Sequence, residues 1–453
     1  MLVVGMWGIT RQNTMWRDEA ATWQVSRRSV PEICHLLSHV DVVHGLYYLL
    51  MHGVFTLFGE SLFALRLPSV LAMAAAATIT AKIGAQLSGV AGGLCAGSAV
   101  ALIPAIQNYA QEGRSYALVA AGVAYATWLL IGALKQPAGA RRWVAYGVTV
   151  LVTAWLNWFA LSLLLAHAWT VCSGRTGRDI TVRWGAASAA ALAGTLPLVI
   201  FSQGQSGQVS WIKPLSLVDL TVPGVVITAG TLCALTCQAR PTRVSLRAVA
   251  LPLLAVPQVT LLAVSLIKPL YIDRYILFSH LGLALLIGVV GARVHHALRR
   301  PWLVAAVGMG VVALGSVLLP TELRQRGPQS RVDDVIAPAD VVAATARAGD
   351  GILFIPAARR DTALVSPRKF TGLDDLALQE SPAASGTLKG VEKSPERIYR
   401  AAVAHQRVIL VTDADGASTA AGDRAKQRAL ADHFVCVSDQ RVHGRRVAVY
   451  QRH

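Results

Sequence analysis

The sequence predicts a polytopic α-helical membrane protein with a small α/β domain at its C-terminal end. Of its 453 residues, 54% are hydrophobic and only 15% are charged, whereas soluble proteins average about 25% charged residues. Long apolar runs recur up to residue 320, and short strand-like and helix-like segments alternate beyond it. We therefore expect a transmembrane domain over residues 1–320 and a soluble domain over residues 321–453.

Eight apolar stretches are each long enough to cross a membrane once, which takes ~17–25 residues. They are residues 62–82, 86–107, 115–134, 184–202, 217–237, 248–267, 275–292 and 301–319. The run 143–172 would be about 45 Å long as one helix, too long for a single span, so we predict a hairpin that crosses twice and turns near Asn157. The first ten residues are too short to span and are expected to be the end of a truncated first helix. The total is about eleven spans.

Basic segments determine the predicted orientation, because Lys and Arg accumulate in short cytoplasmic loops. These segments are Lys82 and residues 135–142, 174–183, 238–247 and 293–300. All of them can face the cytoplasm only if 143–172 crosses twice. With the N-terminus inside, HGLYYLLMHGVFTLFG (44–59) must then not be a full crossing, so we predict that this stretch is an interfacial or re-entrant helix on the outer face. The C-terminal domain then also lies outside.

The predicted outer face collects carboxylates and arginines. Asp18 and Glu19 follow the first apolar segment, Glu112 and Arg114 lie close together before the span 115–134, and Arg274 precedes the span 275–292. A carboxylate near cations at a membrane surface suits a reaction that deprotonates an acceptor hydroxyl while a phosphate leaves. Asp18 fits the base, and either arginine fits the phosphate, since Arg presents a planar fork to its oxygens.

At these residues the sequence resembles the GT-C integral membrane glycosyltransferases. The similar segments are WRDEA (16–20), HGLYYLLMHGVFTLFGESLFALRLPSVLA (44–72) and YAQEGRSYAL (109–118). The branch is that of protein O-mannosyltransferases, aminoarabinose transferases and actinobacterial mannosyltransferases, and the resemblance covers roughly residues 10–275. It implies a GT-C fold, a polyprenyl-monophosphate sugar as donor, and an active site on the outer face of the plasma membrane.

The resemblance also implies roles for single residues. Asp18, in a DE pair with Glu19, matches the family's proposed base, and Glu112 matches an acidic residue of the second outer loop. These three are the predicted catalytic residues, and the predicted substrate-binding residues are His44, Tyr47, Tyr48, Arg114 and Arg274. The family commonly has prolines after the histidine, whereas this chain has Gly45, which leaves the backbone shape there open.

Structural explanations stand beside each of these roles. The acidic pair also fits a solvated loop, Glu112 and Arg114 an ion pair at a helix end, and the tyrosine pair anchors in the lipid interface. Arg274 also fits a partner for Asp273, and His44 an interface histidine with no role in the site. We expect Arg66 to extend to the outer interface.

The predicted function is transfer of one sugar, with mannose favoured, from a polyprenyl-phosphate donor to an extracytoplasmic glycan, lipid or protein acceptor. The enzyme would be a hexosyl- or pentosyltransferase of the cell envelope. No metal is expected, because no acidic or histidine cluster has coordination spacing, and no cofactor, because the lipid-linked sugar is a substrate. We attribute the net charge of +17 to cytoplasmic loops and membrane lipids rather than to nucleic acid.

Two other classes of protein are open. A lipid or sugar transporter or scramblase would carry ionisable residues in mid-membrane and inverted repeats. A non-catalytic scaffold of the cell envelope would tolerate loss of the outer carboxylates.

In the C-terminal domain, residues 350–356, 406–413 and 446–451 are predicted strands and residues 339–348, 394–405 and 421–434 predicted helices. The sequence TDADG (412–416) is a predicted turn, not a phosphate loop. For the role of this domain, acceptor positioning and stabilisation of the outer face are both open.

Overall fold

The computed structural model describes residues 1–136, 139–174, 176–205, 207, 211–237, 244–297, 301–414 and 420–453, without the side chains of 296, 301–308, 310–312 and 314. Each predicted basic loop except Lys82 therefore lies partly outside the described residues. The chain divides into two compact units. The helical unit comprises Met1–Trp7, Val42–Tyr47 and Arg66–Leu323, and the mixed unit comprises Gly8–Asp41, Tyr48–Leu65 and Arg324–His453.

Helices come first along the chain, and the first described strand begins at Gly351. The helices are α1 (Leu2–Met6), α2 (Arg17–Ser26), α3 (Val30–His39), α4 (Gly45–Phe58), α5 (Leu62–Ser88), α6 (Val90–Leu102), α7 (Pro104–Ala110), α8 (Tyr116–Lys135), α9 (Ala140–Leu156), α10 (Ser162–Ser173), α11 (Arg178–Gly204), α12 (Thr221–Leu235), α13 (Leu246–Ser265), α14 (His280–Ala297), α15 (Pro301–Arg326), α16 (Ala337–Thr345), α17 (Asp361–Val365), α18 (Pro395–Val403) and α19 (Ala421–His433). The strands are β1 (Gly351–Ile355), β2 (Asp374–Asp375), β3 (Leu378–Glu380), β4 (Val391–Glu392), β5 (Arg407–Asp413), β6 (Phe434–Val442) and β7 (Arg445–Arg452).

The predicted class, a polytopic helical membrane protein, is confirmed. Among the described residues, six helical segments are long and apolar enough to span: Leu62–Ser88, Tyr116–Lys135, Arg178–Gly204, Leu217–Leu235, Leu246–Ser265 and Asp273–His295. The pair α6 and α7 makes a seventh candidate, bent by 62°, and Pro104 at the start of α7 accounts for the break, since proline cannot continue the hydrogen-bond ladder. The predicted count of about eleven spans exceeds these seven.

The run 143–172 forms the predicted helical hairpin. Helix α9 ends at Leu156, Asn157 is extended, and α10 begins at Ser162 after a 3₁₀ turn. The chain reverses at Asn157, because Tyr146 on α9 and His167 on α10 lie within 2.9 Å of each other. The side chain of Asn157 accepts a hydrogen bond from the backbone N–H of Phe159, which satisfies one donor at the turn.

A buried chain of hydrogen bonds links four of these helices. Trp184 Nε1 donates to the Tyr146 hydroxyl (3.1 Å), which donates to His167 Nδ1 (2.9 Å). His167 Nε2 then donates to Thr127 Oγ1 (3.1 Å), and this hydroxyl donates to the carbonyl of Val123 (2.7 Å). The direction follows from Thr127, whose only hydroxyl proton goes to the Val123 carbonyl, so that its oxygen accepts from His167 Nε2. This assigns His167 as the neutral Nε2–H tautomer. The network joins α8, α9, α10 and α11.

The stretch 44–59 is helical but short. Helix α4 has 14 residues, about 21 Å at 1.5 Å per residue, which is less than the ~30 Å of hydrocarbon that a span must cross. Its length agrees with the prediction that it does not cross. Its place on the outer face stays a prediction.

Helices α6 and α14 pack backbone against backbone. A Cβ added at Gly288 would stand 2.5 Å from the carbonyl oxygen of Gly92 and 2.8 Å from the Cβ of Ala96. Small residues at such contacts let membrane helices approach closely, which is where their packing energy arises.

The mixed unit contains a five-stranded sheet in the order β2-β1-β5-β7-β6. Strand β1 is parallel to β2 and β5, whereas β7 runs antiparallel to β5 and β6. Strands β1, β5 and β7 and helices α16, α18 and α19 confirm the predicted elements of the α/β domain. Of the predicted turn 412–416, residues 412 and 413 belong to β5, and 415–416 lie outside the described residues.

Alternating side chains of the central strands fill a core on each face of the sheet. Leu353 and Leu410 belong to one buried cluster with Ile398 of α18, and Phe354 and Val411 belong to a second. Because both faces are covered, β1 is buried throughout. These strands therefore appear in the sequence as continuous apolar runs.

Replacement of Gly288 by leucine is expected to lower the melting temperature of the detergent-solubilised protein, because overpacking at a closed contact costs about 1–3 kcal/mol. Gly224→Leu is the matched control, since a Cβ at Gly224 meets no atom within 4 Å. Equal melting temperatures for the two variants would contradict this account of the α6–α14 contact.

The substitution Tyr146→Phe removes the hydroxyl at the centre of the buried network and leaves Trp184 and His167 each without one hydrogen bond. We expect a loss of about 1 kcal/mol in unfolding free energy, the usual scale for a polar contact between membrane helices. Unfolding in a graded detergent series measures it. Tyr125→Phe, at a tyrosine that is 39% exposed, should change nothing.

Candidate active-site residues

In the helical unit, the loop that carries Glu112 and Arg114 is buried along its whole length, from residue 111 to residue 115. The Ser69 hydroxyl of α5 lies 2.6 Å from the carbonyl oxygen of Glu112 and 3.3 Å from that of Arg114, and donates to them. The backbone N–H of Arg114 donates to the carbonyl of Glu112 (2.8 Å). One serine therefore holds the bend that lies between the two charged residues.

Both ends of this loop are fixed as well. The Gln111 side-chain amide donates to the carbonyls of Gly5 (2.8 Å) and Trp7 (2.6 Å). The Ser115 hydroxyl donates to the carbonyl of Leu156 (3.0 Å), the last residue of α9. The loop is thus tied to the N-terminal segment and to the tip of the hairpin.

The charged side chains of this region are buried. Glu112 is 0% exposed and Arg114 8% exposed. Arg66, one turn before Ser69 on α5, is also 0% exposed, so the expectation that it extends to the outer interface is wrong. A buried charge is tolerated only with compensating charges and hydrogen bonds; the loop therefore belongs to a polar interior.

Arg274 lies in a 3₁₀ turn, Asp273–Ser279, that meets the same region. Its guanidinium carbon is 5.9 Å from the ring centroid of Tyr116, the first residue of α8. Asp273 accepts hydrogen bonds from the Tyr109 hydroxyl (3.1 Å to each oxygen) and from the backbone N–H of Arg274 (2.8 Å). Arg274 is thereby placed beside the loop that follows α7.

Aromatic rings connect this turn to the hairpin tip. Tyr275 stacks on Phe159 with ring centroids 5.0 Å apart, and Phe159 stacks on Trp158 at 4.1 Å. Such pairs add about 0.5–1.5 kcal/mol beyond area burial. The segments around residues 112, 157 and 274, which the topology prediction assigned to one face, therefore come together in the helical unit.

A cavity of about 320 Å³ opens beside these rings. Its polar lining includes His44, Asn157, Gln205, Lys268 and Tyr275, and most of the remaining wall is apolar. The Gln205 side chain also accepts the backbone N–H of Val42 (2.9 Å), which fixes the 3₁₀ turn that ends at His44. Ligand sites are typically apolar clefts with a few such polar groups.

The mixed unit holds the acidic pair, in the first turn of α2. Glu19 is 0% exposed and its carboxylate lies 3.7 Å from the guanidinium of Arg11, which is also buried. Asp18 is only partly buried. Consecutive helical residues point about 100° apart, so one carboxylate is enclosed and its neighbour stays accessible. Carboxylates in a first turn are stabilised by the helix dipole.

The two predicted tyrosines are both fully buried, which does not fit the alternative that they anchor in the lipid interface. Tyr47 belongs to the helical unit and Tyr48 to the mixed unit. The Tyr48 hydroxyl donates to the carboxylate of Asp41, and its ring packs against Ile33 and Leu36 of α3. For Tyr48 these contacts indicate a structural role.

The sequence analysis did not single out three residues that line the cavity or contact Asp273 in the helical unit: Lys268, Gln205 and Tyr109. Lys268 had a signal, because it closes an apolar span only six residues before Arg274. Across the described ranges, no group of three or more His, Cys, Asp or Glu side chains is placed to hold a metal ion.

Comparison with known proteins gives the fold. No protein-family model and no curated protein matches the chain. It is similar to the crystal structure of ArnT from Cupriavidus metallidurans in the apo state, with a TM-score of 0.64, 13% identity, and coverage of 99% of this chain and 96% of that one. It is also similar to ArnT from that organism bound to undecaprenyl phosphate, with a TM-score of 0.57, 14% identity and the same coverage. The chain is therefore a multi-pass membrane protein with the GT-C fold that the sequence resemblance predicted.

Proposed function

We propose that the chain is a membrane glycosyltransferase that moves one sugar from a polyprenyl-phosphate donor to an extracytoplasmic acceptor. The observation that carries this proposal is the likeness, over 99% of the chain, to a protein whose structure holds undecaprenyl phosphate. The cavity in the helical unit supports it, because apolar walls suit an isoprenoid chain and the His44 and Lys268 side chains suit a phosphate.

Cationic groups would receive the departing phosphate. As the bond between the anomeric carbon and the phosphate oxygen breaks, negative charge grows on the phosphate and positive charge on the carbon. Donors fixed in advance stabilise such charge at little reorganisation cost. Arg274 and Arg114 are assigned this role together with His44, with Arg274 held by its turn and Arg114 by the bonded loop.

Asp18 is assigned as the base. It takes the proton of the acceptor hydroxyl while that oxygen attacks the anomeric carbon, and the phosphate leaves with inversion. Its partial exposure keeps it accessible to an acceptor. The buried ion pair with Arg11 suits Glu19 to orient the first turn of α2 rather than to exchange protons, and buried Glu112 is suited to orient acceptor or base.

Mannose is the proposed sugar, on the sequence resemblance to mannosyltransferases, with pentose donors as the competing class. Purified protein in lipid vesicles would be incubated with a cell-envelope extract as the source of acceptor and with polyprenyl-phosphate mannose, arabinose or glucose labelled in the sugar. Loss of label from the mannosyl lipid alone is the expected result. Release only from the arabinosyl lipid would refute mannose and keep the transferase, and release from none would refute the transferase.

The proposed active site faces the outside of the plasma membrane. Single cysteines introduced at Gln12 and Lys213 should both react with a membrane-impermeant maleimide in intact cells, in a background without native cysteines. Labelling of only one of them would refute a common outer compartment.

The variant Asp18→Asn should keep expression, melting temperature and donor binding but lose transfer by about 10²-fold or more, the usual contribution of a general base. Single-turnover kinetics with saturating donor measures the chemical step. Glu60→Gln removes a carboxylate of the same unit that pairs with Arg27 at the surface, and should stay near full rate. Near-full turnover of Asp18→Asn would show that another group is the base.

Replacement of Arg274 by lysine and by glutamine should affect the kinetic constants to different extents. Arg274→Gln is expected to raise the donor KM and lower kcat, and Arg274→Lys to recover only part of the loss, because an ammonium lacks the planar fork. Steady-state kinetics against donor concentration separates the two constants. Lys213→Gln, at an exposed lysine of the helical unit, is the control. Full recovery by lysine would reject fork-like recognition of the phosphate.

A further inference from the structure

In the mixed unit, the residues just before the acidic pair are held by the C-terminal part of the chain. The backbone N–H of Met15 donates to Asp334 Oδ1 (3.0 Å), and that of Val335 donates to the Met15 carbonyl (2.7 Å). Arg17 donates twice to Asp333, from its backbone N–H (3.3 Å) and from Nε (3.1 Å). Main chain and side chain are therefore both fixed at the entry to α2.

Asp333 is itself part of a buried charge network. Its side chain is 0% exposed and accepts a hydrogen bond from Arg445 Nη2 (3.0 Å). Arg445, also fully buried, donates to Asp361 (2.8 Å) and to Thr362 (2.7 Å). Removing one partner of such a network leaves an uncompensated buried charge, which is strongly unfavourable. The anchor for Arg17 is thus rigid.

The electrostatics keep this anchor charged. Burial by itself would raise the pKa of Asp333, but the guanidinium groups of Arg445 and Arg17 and the hydrogen bonds they donate outweigh it and hold the pKa below its ordinary value. Asp333 is therefore ionised at neutral pH and binds Arg17 by charge-assisted hydrogen bonds, which are stronger than neutral ones.

A second attachment lies just after the end of α2. Arg28 Nη2 donates to the carbonyl of Thr387 (2.8 Å), and on the next helix His35 Nε2 lies 3.2 Å from the carbonyl of Ala384. Helix α2 is therefore secured at both ends by residues that are more than 300 positions away along the chain. A short helix fixed at both ends has little freedom to tilt.

We propose that Asp333 and Arg17 are positioning residues for Asp18, and that the C-terminal α/β domain serves catalysis as the rigid support of this carboxylate. The inference rests on the proposed function, in which Asp18 is the base. Its physical reason is that a base must stand in hydrogen-bond reach of the acceptor hydroxyl, and an error of about 1 Å in such a group costs on the order of 10²-fold in rate. The bonds to residues 15 and 17 supply that restraint.

Arg17→Ala tests the inference, because it removes the side-chain bond to Asp333 and leaves the Arg445–Asp361 pair intact. We expect amide hydrogen exchange at residues 15–19 to accelerate about tenfold or more, with the melting temperature within about 2 °C. We also expect kcat to fall about tenfold with the donor KM unchanged. Arg446→Ala is the matched control, since Arg446 has similar exposure and pairs with Asp439 (2.8 Å).

A double-mutant cycle isolates action through Asp18. If Arg17 acts by placing Asp18, then Arg17→Ala should cost no further rate in the Asp18→Asn background, because the carboxylate is already lost. Asp333→Asn, which keeps the side-chain shape, should reproduce the exchange and rate changes of Arg17→Ala and also lower the melting temperature, because Arg445 loses one of its two buried carboxylates. Multiplicative losses in the cycle, or a raised donor KM, would overturn the inference in favour of direct substrate contact by Arg17.

The exchange measurement separates this inference from the proposed function. Faster exchange at residues 15–19 in a protein that transfers no sugar would refute the transferase and support the structural half of the inference. Unchanged exchange, or faster exchange with unchanged kcat, would overturn the positioning role while leaving the transferase in place.

Discussion

The helical unit depends on satisfying the polar groups of one buried, irregular loop, residues 111–115. In a low-dielectric interior each unpaired backbone group costs about 1–3 kcal/mol, and such backbone persists in membrane proteins only where protein encloses it. Ser69 of α5 donates to two carbonyls of the loop, and the Gln111 and Ser115 side chains of the loop donate to carbonyls of the N-terminal segment and of Leu156. Because these partners lie on separate segments, meeting the requirement of the loop also sets the relative positions of α5, α8 and the hairpin tip. The same bonds place Glu112 and Arg114.

Most of the fold was predictable where one physical signal dominated. Long apolar runs identify the spanning helices, and the length of 143–172 together with the basic loops identifies the hairpin. Strand β6 was missed because its side chains are largely exposed: Val435 and Val437 are 50% and 55% exposed, so the segment shows no buried run. Strands β1 and β5 are buried, and their sequences do show such a continuous apolar run. The predicted boundary at residue 320 separated segments that lie together, because contacts such as Arg17 with Asp333, 316 residues apart, have no local pattern in the sequence.

The site residues show a similar limit. Shared topology correctly grouped the segments of Glu112, Asn157 and Arg274, since each follows or precedes a span at the same predicted face. Burial was not predictable. Tyr47 and Tyr48 look like lipid-interface residues by type, yet both are enclosed, and Arg66 is enclosed where a long charged side chain at a helix start would ordinarily reach water. Residue type and spacing in the sequence predict which face of a helix or strand a side chain lies on. Whether that side chain is buried depends on which distant segments of the chain pack over it.

Adjacent carboxylates illustrate how backbone geometry divides two chemically alike groups. On an α-helix, neighbours point about 100° apart, so a helix packed on one side must enclose one of Asp18 and Glu19 more than the other. Glu19 takes the enclosed position and is paired with Arg11, which stabilises the first turn; Asp18 is left with access to solvent. A base needs both accessibility to the acceptor and a fixed location. In the proposed mechanism, Asp18 gains the first from its own partial exposure. It gains the second from the bonded residues Met15, just before α2, and Arg17, the first residue of α2. In that mechanism, buried Glu19 and the flanking anchors together hold the partly buried Asp18 in place.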